Sequence, residues 1–86
     1  MREKNDIDIL KYQGTLLRKY RKEYSNMTME QAATALGRSK TWLSDIENGT
    51  NNIYAQDMIM LLKLYHADIN DFSKEMSEYM TNSISK

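Results

Sequence analysis

Apolar residues recur along the chain at spacings of three and four, and no stretch alternates polar and apolar for more than a few positions. The pattern predicts helices throughout and no sheet. A first helix begins near Asn5 or Asp6 and carries Ile7, Leu10, Leu17, Tyr20 and Tyr24 on one stripe. Gly14 lies on the same stripe, marking either a close packing point or the true start of the domain's first helix. Thr28-Met29-Glu30-Gln31 is a capping box, in which the Thr28 hydroxyl accepts from the Gln31 amide and the Gln31 side chain reaches back to the Thr28 amide.

The second helix is short, with Ala32, Ala33 and Leu36 as its apolar face, and ends at Gly37, a residue suited to a left-handed cap. Ser39 is an N-cap for a third helix, which turns Leu43 and Ile46 inward and stops at Asn48-Gly49. After the polar turn Thr50-Asn51-Asn52, a fourth helix over about 55–65 buries Met58, Leu61, Leu62 and Tyr65. A fifth starts at Asp68 and carries Ile69, Phe72, Met76, Tyr79 and Met80, with residues 81–86 expected to fray. Ile69 and Phe72 are expected in the core. Met76, Tyr79 and Met80 run past its expected end, as an exposed stripe for a two-fold dimer contact or a partner protein. A tail that caps the monomer's own core is the other possibility. No repeat, low-complexity stretch or linker interrupts the pattern, so residues 1–86 form one all-α domain of five helices.

Composition removes several classes of function. With no Cys there is no disulfide framework or thiolate site, and a single His, His66, nearly closes off imidazole metal clusters. His66 is expected as a helix C-cap. No apolar run approaches the roughly 18 residues that a membrane span needs, and residues 1–6 are too polar for a signal peptide. A cytoplasmic chain with no metal, no cofactor and no membrane partner is expected. Glu30, Asp45 and Glu47 have no nucleophile or phosphate loop beside them, so an enzyme is not expected.

The formal net charge is zero, but its distribution is not even. Residues 1–43 carry nine basic against five acidic side chains, and residues 44–86 carry three against seven. One half is therefore suited to a polyanion.

The segment 29–48 meets the demands of a helix-turn-helix. Two short helices that cross closely need a small residue on the first, which Ala33 supplies, and a turn that tolerates positive φ, which Gly37 supplies. Leu43 and Ile46 bury the inner face of the second. Lys40, Thr41, Ser44 and Asp45 form its polar outer face.

The stretch 14–72 resembles the Cro/C1-type (XRE-like) helix-turn-helix family of bacterial and phage repressors, including its short SinR-type members. The resemblance rests on GTLLRKYRKEY, on MTMEQAATALGRSKTWLSDIENG with its SxxxxSxIENG ending, and on LLKLYHADINDF. It implies a lambda-repressor-like core, followed by a helical extension over 73–86, that binds double-stranded DNA as a homodimer on a two-fold symmetric operator. In that family Ser39 and Lys40 open the recognition helix. Lys40, Thr41, Ser44 and Asp45 are then the residues for base contact, Lys40 donating to guanine and Asp45 accepting from cytosine.

The resemblance implies further that Thr28 and Met29 turn their backbone amides to a phosphate, Met29 standing where the family usually has Gln. Ser39, Asn48, Thr50 and Asn51 would touch the backbone, Trp42 would lie beside it with its indole N–H available, and Arg38 would add a basic group near it. Arg21 and Glu47 match the family's structural pair, counting one extra residue within 24–26. A different class with the same fold would be an antitoxin or antagonist that mainly binds a partner protein and binds DNA only for autoregulation. A purely structural interaction module is a third.

Overall fold

Helix boundaries follow from caps that the local sequence supplies. The computed structural model describes residues 3–84, which fold as α1 (Glu3–Tyr20), α2 (Met29–Ala35), α3 (Lys40–Glu47), α4 (Ala55–Leu64) and α5 (Ile69–Ile84). At α2 the capping box is complete: the Gln31 amide donates to Thr28 Oγ1 at 3.0 Å and the Thr28 amide to Gln31 Oε1 at 2.9 Å. Ser39 caps α3 by accepting from the Trp42 amide at 3.1 Å. Each such cap contributes about 0.5–2 kcal/mol. Gly37 takes φ 71° in the turn between α2 and α3. His66 takes φ 62° and closes α4, its amide donating to the Lys63 carbonyl at 3.1 Å.

α1 starts at Glu3, earlier than the Asn5–Asp6 signal implied, and runs unbroken through Gly14. The Ile7 side chain lies outside the described residues. Gly14 is a packing point: a Cβ there would meet the carbonyl oxygens of Ile46 and Glu47 and stand 2.7 Å from the Glu47 carbonyl carbon. α1 thus lies on the end of α3 with no room for a side chain between them.

After Tyr20 the chain widens into one turn of π-helix over Arg21–Ser25, and it closes on Asn26 at φ 55° with the Asn26 amide donating to the Arg21 carbonyl. The wider turn takes in one residue more than an α-helical turn would. It also rotates Tyr24 off the apolar stripe, leaving it 51 % exposed with its ring stacked on Tyr20 instead of buried.

The core gathers Leu16, Leu17 and Tyr20 of α1, Ala32 and Ala33 of α2, Leu43 and Ile46 of α3, Leu61 and Leu62 of α4 with the adjoining Tyr65, and Phe72 and Met76 of α5. Leu36 and Met58 are half-buried against it.

α5 departs most from expectation. It remains helical to Ile84 instead of fraying after Met80. Ile69 is 45 % exposed, not core, whereas Met76 is core and not a surface residue. The Tyr79 ring stacks on Tyr12 at 4.1 Å, and its hydroxyl donates to the Asp8 carbonyl at 3.5 Å. The cause is the part of α1 before Gly14, which gives α5 a wall to pack on. Of Met76, Tyr79 and Met80, only Met80 is exposed. Among the described residues no helix is long and apolar enough to cross a membrane.

Candidate nucleic-acid interface

The aim of α3 is set from three directions. Gly14 fixes its C-terminal end against α1, and Ala33, fully buried, brings α2 close beside it. The Arg21 guanidinium then donates through Nε to Glu47 Oε2 at 2.7 Å and through Nη2 to Glu47 Oε1 at 3.0 Å, while Nη1 reaches the Met27 carbonyl at 2.9 Å. These bonds, bidentate and nearly dry, push the Arg21 pKa above its ordinary value even though burial opposes the charge. Glu47 is consumed within the fold and leaves the outer face of α3 to others.

On that outer face Ser39, Lys40 and Thr41 are all exposed, and they occupy the N-terminal turn of α3. Ser44 and Asp45, one turn on, are half-buried. Asn48 Nδ2 donates to Ser44 Oγ at 3.4 Å, so both side chains are partly occupied with each other.

Asp45 is drawn toward the loop after α3. Its carbonyl accepts from the Thr50 amide at 2.9 Å and the Thr50 hydroxyl at 3.0 Å, and its carboxylate lies 3.5 Å from Asn51 Nδ2. Thr50 and Asn51, expected to touch a backbone, instead spend these donors on closing the C-terminus of α3. Carbonyls at a helix end lack intrahelical partners, and the loop satisfies them.

At α2, Thr28 is exposed, but its hydroxyl and amide are both committed to the capping box. Met29 is half-buried and packs against the core. In the turn, Arg38 is not an unpaired cation. Its Nη2 donates to Asp57 Oδ2 at 2.7 Å, and its guanidinium carbon lies 5.1 Å from the centre of the Trp42 ring. Trp42 itself is half-buried.

Asp57 was missed from the sequence, and so was the exposed Tyr54 beside it. A signal for Asp57 was present: it precedes Leu61 by one helical turn, at the edge of the apolar stripe of α4, and a carboxylate so placed calls for a cation. Tyr54, just before α4, carried no periodic signal.

An all-α fold with a short, capped helix crossing a second one and presenting an exposed N-terminal turn defines a helix-turn-helix module. The family model of the helix-turn-helix domain matches residues 14–73, and the chain belongs to that family. Membership supports a DNA-binding regulator with DNA as its partner. No curated protein and no solved structure matches the chain.

Proposed function

We propose that the protein is a sequence-specific regulator of transcription of the Cro/C1 (XRE-like) kind, resembling short SinR-type repressors, which binds a two-fold symmetric operator as a homodimer. The observation that carries it is the exposed turn Ser39-Lys40-Thr41 at the N-terminus of a recognition helix held by Gly14, Ala33 and the Arg21–Glu47 pair. A recognition helix reads base edges with its N-terminal residues, and its aim must be fixed to within a fraction of an ångström to do so.

In this role Lys40 and Thr41 contact bases, with Ser44 and Asp45 at the far edge of the contact. Ser39, Asn48 and Trp42 flank the sugar–phosphate backbone, joined by the backbone amide of Met29, since the donors of Thr28, Thr50 and Asn51 are taken up by the caps of α2 and α3. Two half-sites about one helical turn apart give the specificity that one helix reading a few base pairs lacks. Residues 14–72 form the DNA-binding core and 73–86 an extension. With Met76 and Tyr79 taken up by the fold, the two-fold contact falls to Met80 and the hydroxyl residues Ser77 and Thr81 beside it on α5. Few cations face the backbone, so binding is modest and depends steeply on salt.

The test is selection of duplexes from a randomised pool by the full chain, followed by sedimentation with and without the selected duplex. Enrichment of an inverted repeat and two protomers per duplex are expected. Enrichment of no sequence, or of an asymmetric single site held by one protomer, would overturn the proposal.

A further inference from the structure

Arg38, Trp42, Asn52, Ile53, Tyr54 and Asp57 line an open groove of about 360 Å³, where the turn before α3 meets the start of α4. Its floor is unusual in charge. Asp57 is only 5 % exposed, and a carboxylate withdrawn from water is tolerated where a cation answers it. The answering group is Arg38, which bonds it at 2.7 Å along one edge while lying over Trp42 at 5.1 Å. Stacking suits the planar guanidinium, and edge and face together leave it little freedom.

A guanidinium carries about five N–H donors in a rigid fork, and the bond to Asp57 takes one of them. The Arg38 side chain keeps 39 % of its exposure, and Asp57 is the one hydrogen-bond partner of its guanidinium among the described residues. Arg38 is followed directly in the chain by Ser39 and Lys40, both exposed at the start of the recognition helix. Tyr54, 77 % exposed, stands as the outer wall of the groove. A fixed cation with paired donors to spare, beside a surface that meets a duplex, matches the planar two-point recognition of phosphate.

We propose that this groove seats one phosphodiester of the duplex backbone on Arg38, and that Asp57 is the positioning residue that aims the guanidinium. Both roles presuppose the duplex-binding function proposed above. Asp57 touches no nucleic acid; it acts through Arg38. Removing it leaves Arg38 charged but unaimed, so the value of Arg38 for binding falls.

The test is a double-mutant cycle on the full chain with wild type, Arg38→Ala, Asp57→Asn and the double variant. Binding to a mixed-sequence duplex of about 20 base pairs, long enough for two half-sites, is measured by anisotropy across a salt series. Arg38→Ala should weaken binding about five- to twentyfold for all sequences alike and reduce the salt slope by about 1.8 per duplex, about 0.9 for the one phosphate of each protomer. In the Asp57→Asn background the same change should cost clearly less, which a merely structural Asp57 would not produce.

Arg38→Ala leaves Asp57 buried without its cation. The double variant, which lacks that charge, keeps the slope measurable on folded protein, and thermal unfolding confirms folding. An unchanged salt slope on loss of Arg38 overturns the phosphate seat. An equal or larger effect of Arg38→Ala in the Asp57→Asn background overturns the positioning role. Trp42, the chain's one tryptophan, reports on the groove directly. Its fluorescence should respond to the duplex and not to inorganic phosphate at matched ionic strength. A response to phosphate alone would make the groove a free-anion site and overturn the assignment. A wild type that binds no duplex at any salt overturns the DNA-binding function, and the seat with it.

Discussion

Arg21 and Glu47, twenty-six residues apart in the chain, are joined by two parallel bonds of 2.7 and 3.0 Å and are almost wholly buried. The pair ties the turn after α1 to the end of α3 and so fixes the pitch of α3. Taking one partner away strands the other's charge in the interior, which costs about 3–5 kcal/mol. Glu47→Gln and Arg21→Met are each expected to lower the unfolding free energy in urea by that order. Arg21→Met with Glu47→Leu should recover much of it, since no charge is then left unpaired. A cost under about 1 kcal/mol for either single change would show that the pair carries little of the fold.

Gly14 makes the second tie between the same helices. A methyl group there would overlap the backbone of Ile46 and Glu47, which cannot swing aside as a side chain can. Gly14→Ala is therefore expected to destabilise by about 1–3 kcal/mol or more, although alanine is the better helix former by about 1 kcal/mol. Chemical denaturation measures it. A stabilised Gly14→Ala protein would mean that α1 and α3 stand further apart than described.

Much of this was legible in the sequence because the signals are local. The capping box at Thr28, the left-handed turn at Gly37 and the cap at Ser39 each depend on residues within three or four positions, and each is present in the structure. Leu43 and Ile46 were legible through spacing alone. What spacing could not show was which partner a side chain finds across the fold. Arg38 was expected as a cation near DNA, and its partner Asp57 lies nineteen positions on, in another helix. Ile69 and Met76 exchanged roles because the wall formed by α1 before Gly14 belongs to no local pattern on α5. Thr50 and Asn51, though exposed, fold back on α3 for a related reason: its C-terminal end competes for their donors.

The extension beyond the matched family segment should therefore matter to the monomer before it matters to any dimer. Tyr79 stacks on Tyr12, and Met76 fills the core. Tyr79→Ala is expected to cost about 1–3 kcal/mol in thermal or urea unfolding, at protein concentrations too low for association. Met80→Lys, by contrast, should leave monomer stability within about 0.5 kcal/mol of wild type and shift sedimentation toward the monomer. A neutral Tyr79→Ala would return the tail to the role of an exposed stripe.

Alkaline pH gives an independent check on the core. Burial pushes the phenols of Tyr65 and Tyr20 well above their ordinary value of 10.0, with the Glu75 carboxylate adding to the effect at Tyr20. Below that value both folded and unfolded chains keep these protons. Above it the unfolded chain releases protons that the folded chain retains, so stability falls as pH rises, by at most about 1.4 kcal/mol per pH unit for each group. The Tyr65 hydroxyl has no hydrogen-bond partner among the described residues, so Tyr65→Phe should be no less stable at neutral pH. It should also flatten the alkaline decline in urea midpoints. An undiminished decline in Tyr65→Phe would contradict the burial of that hydroxyl.

The central claim is that the exposed turn at Lys40 and Thr41 reads sequence, and discrimination between duplexes tests it most directly. With the duplex selected by wild type and a scrambled duplex of equal length, the ratio of affinities is measured at one salt concentration for wild type and for Lys40→Ala with Thr41→Ala. The variant should melt within a few degrees of wild type, because both side chains are exposed. Its ratio is expected to fall by about tenfold or more toward unity, since each good base contact is worth about 1–3 kcal/mol of discrimination. A folded double variant that keeps the wild-type ratio would contradict the claim and move sequence recognition away from this turn.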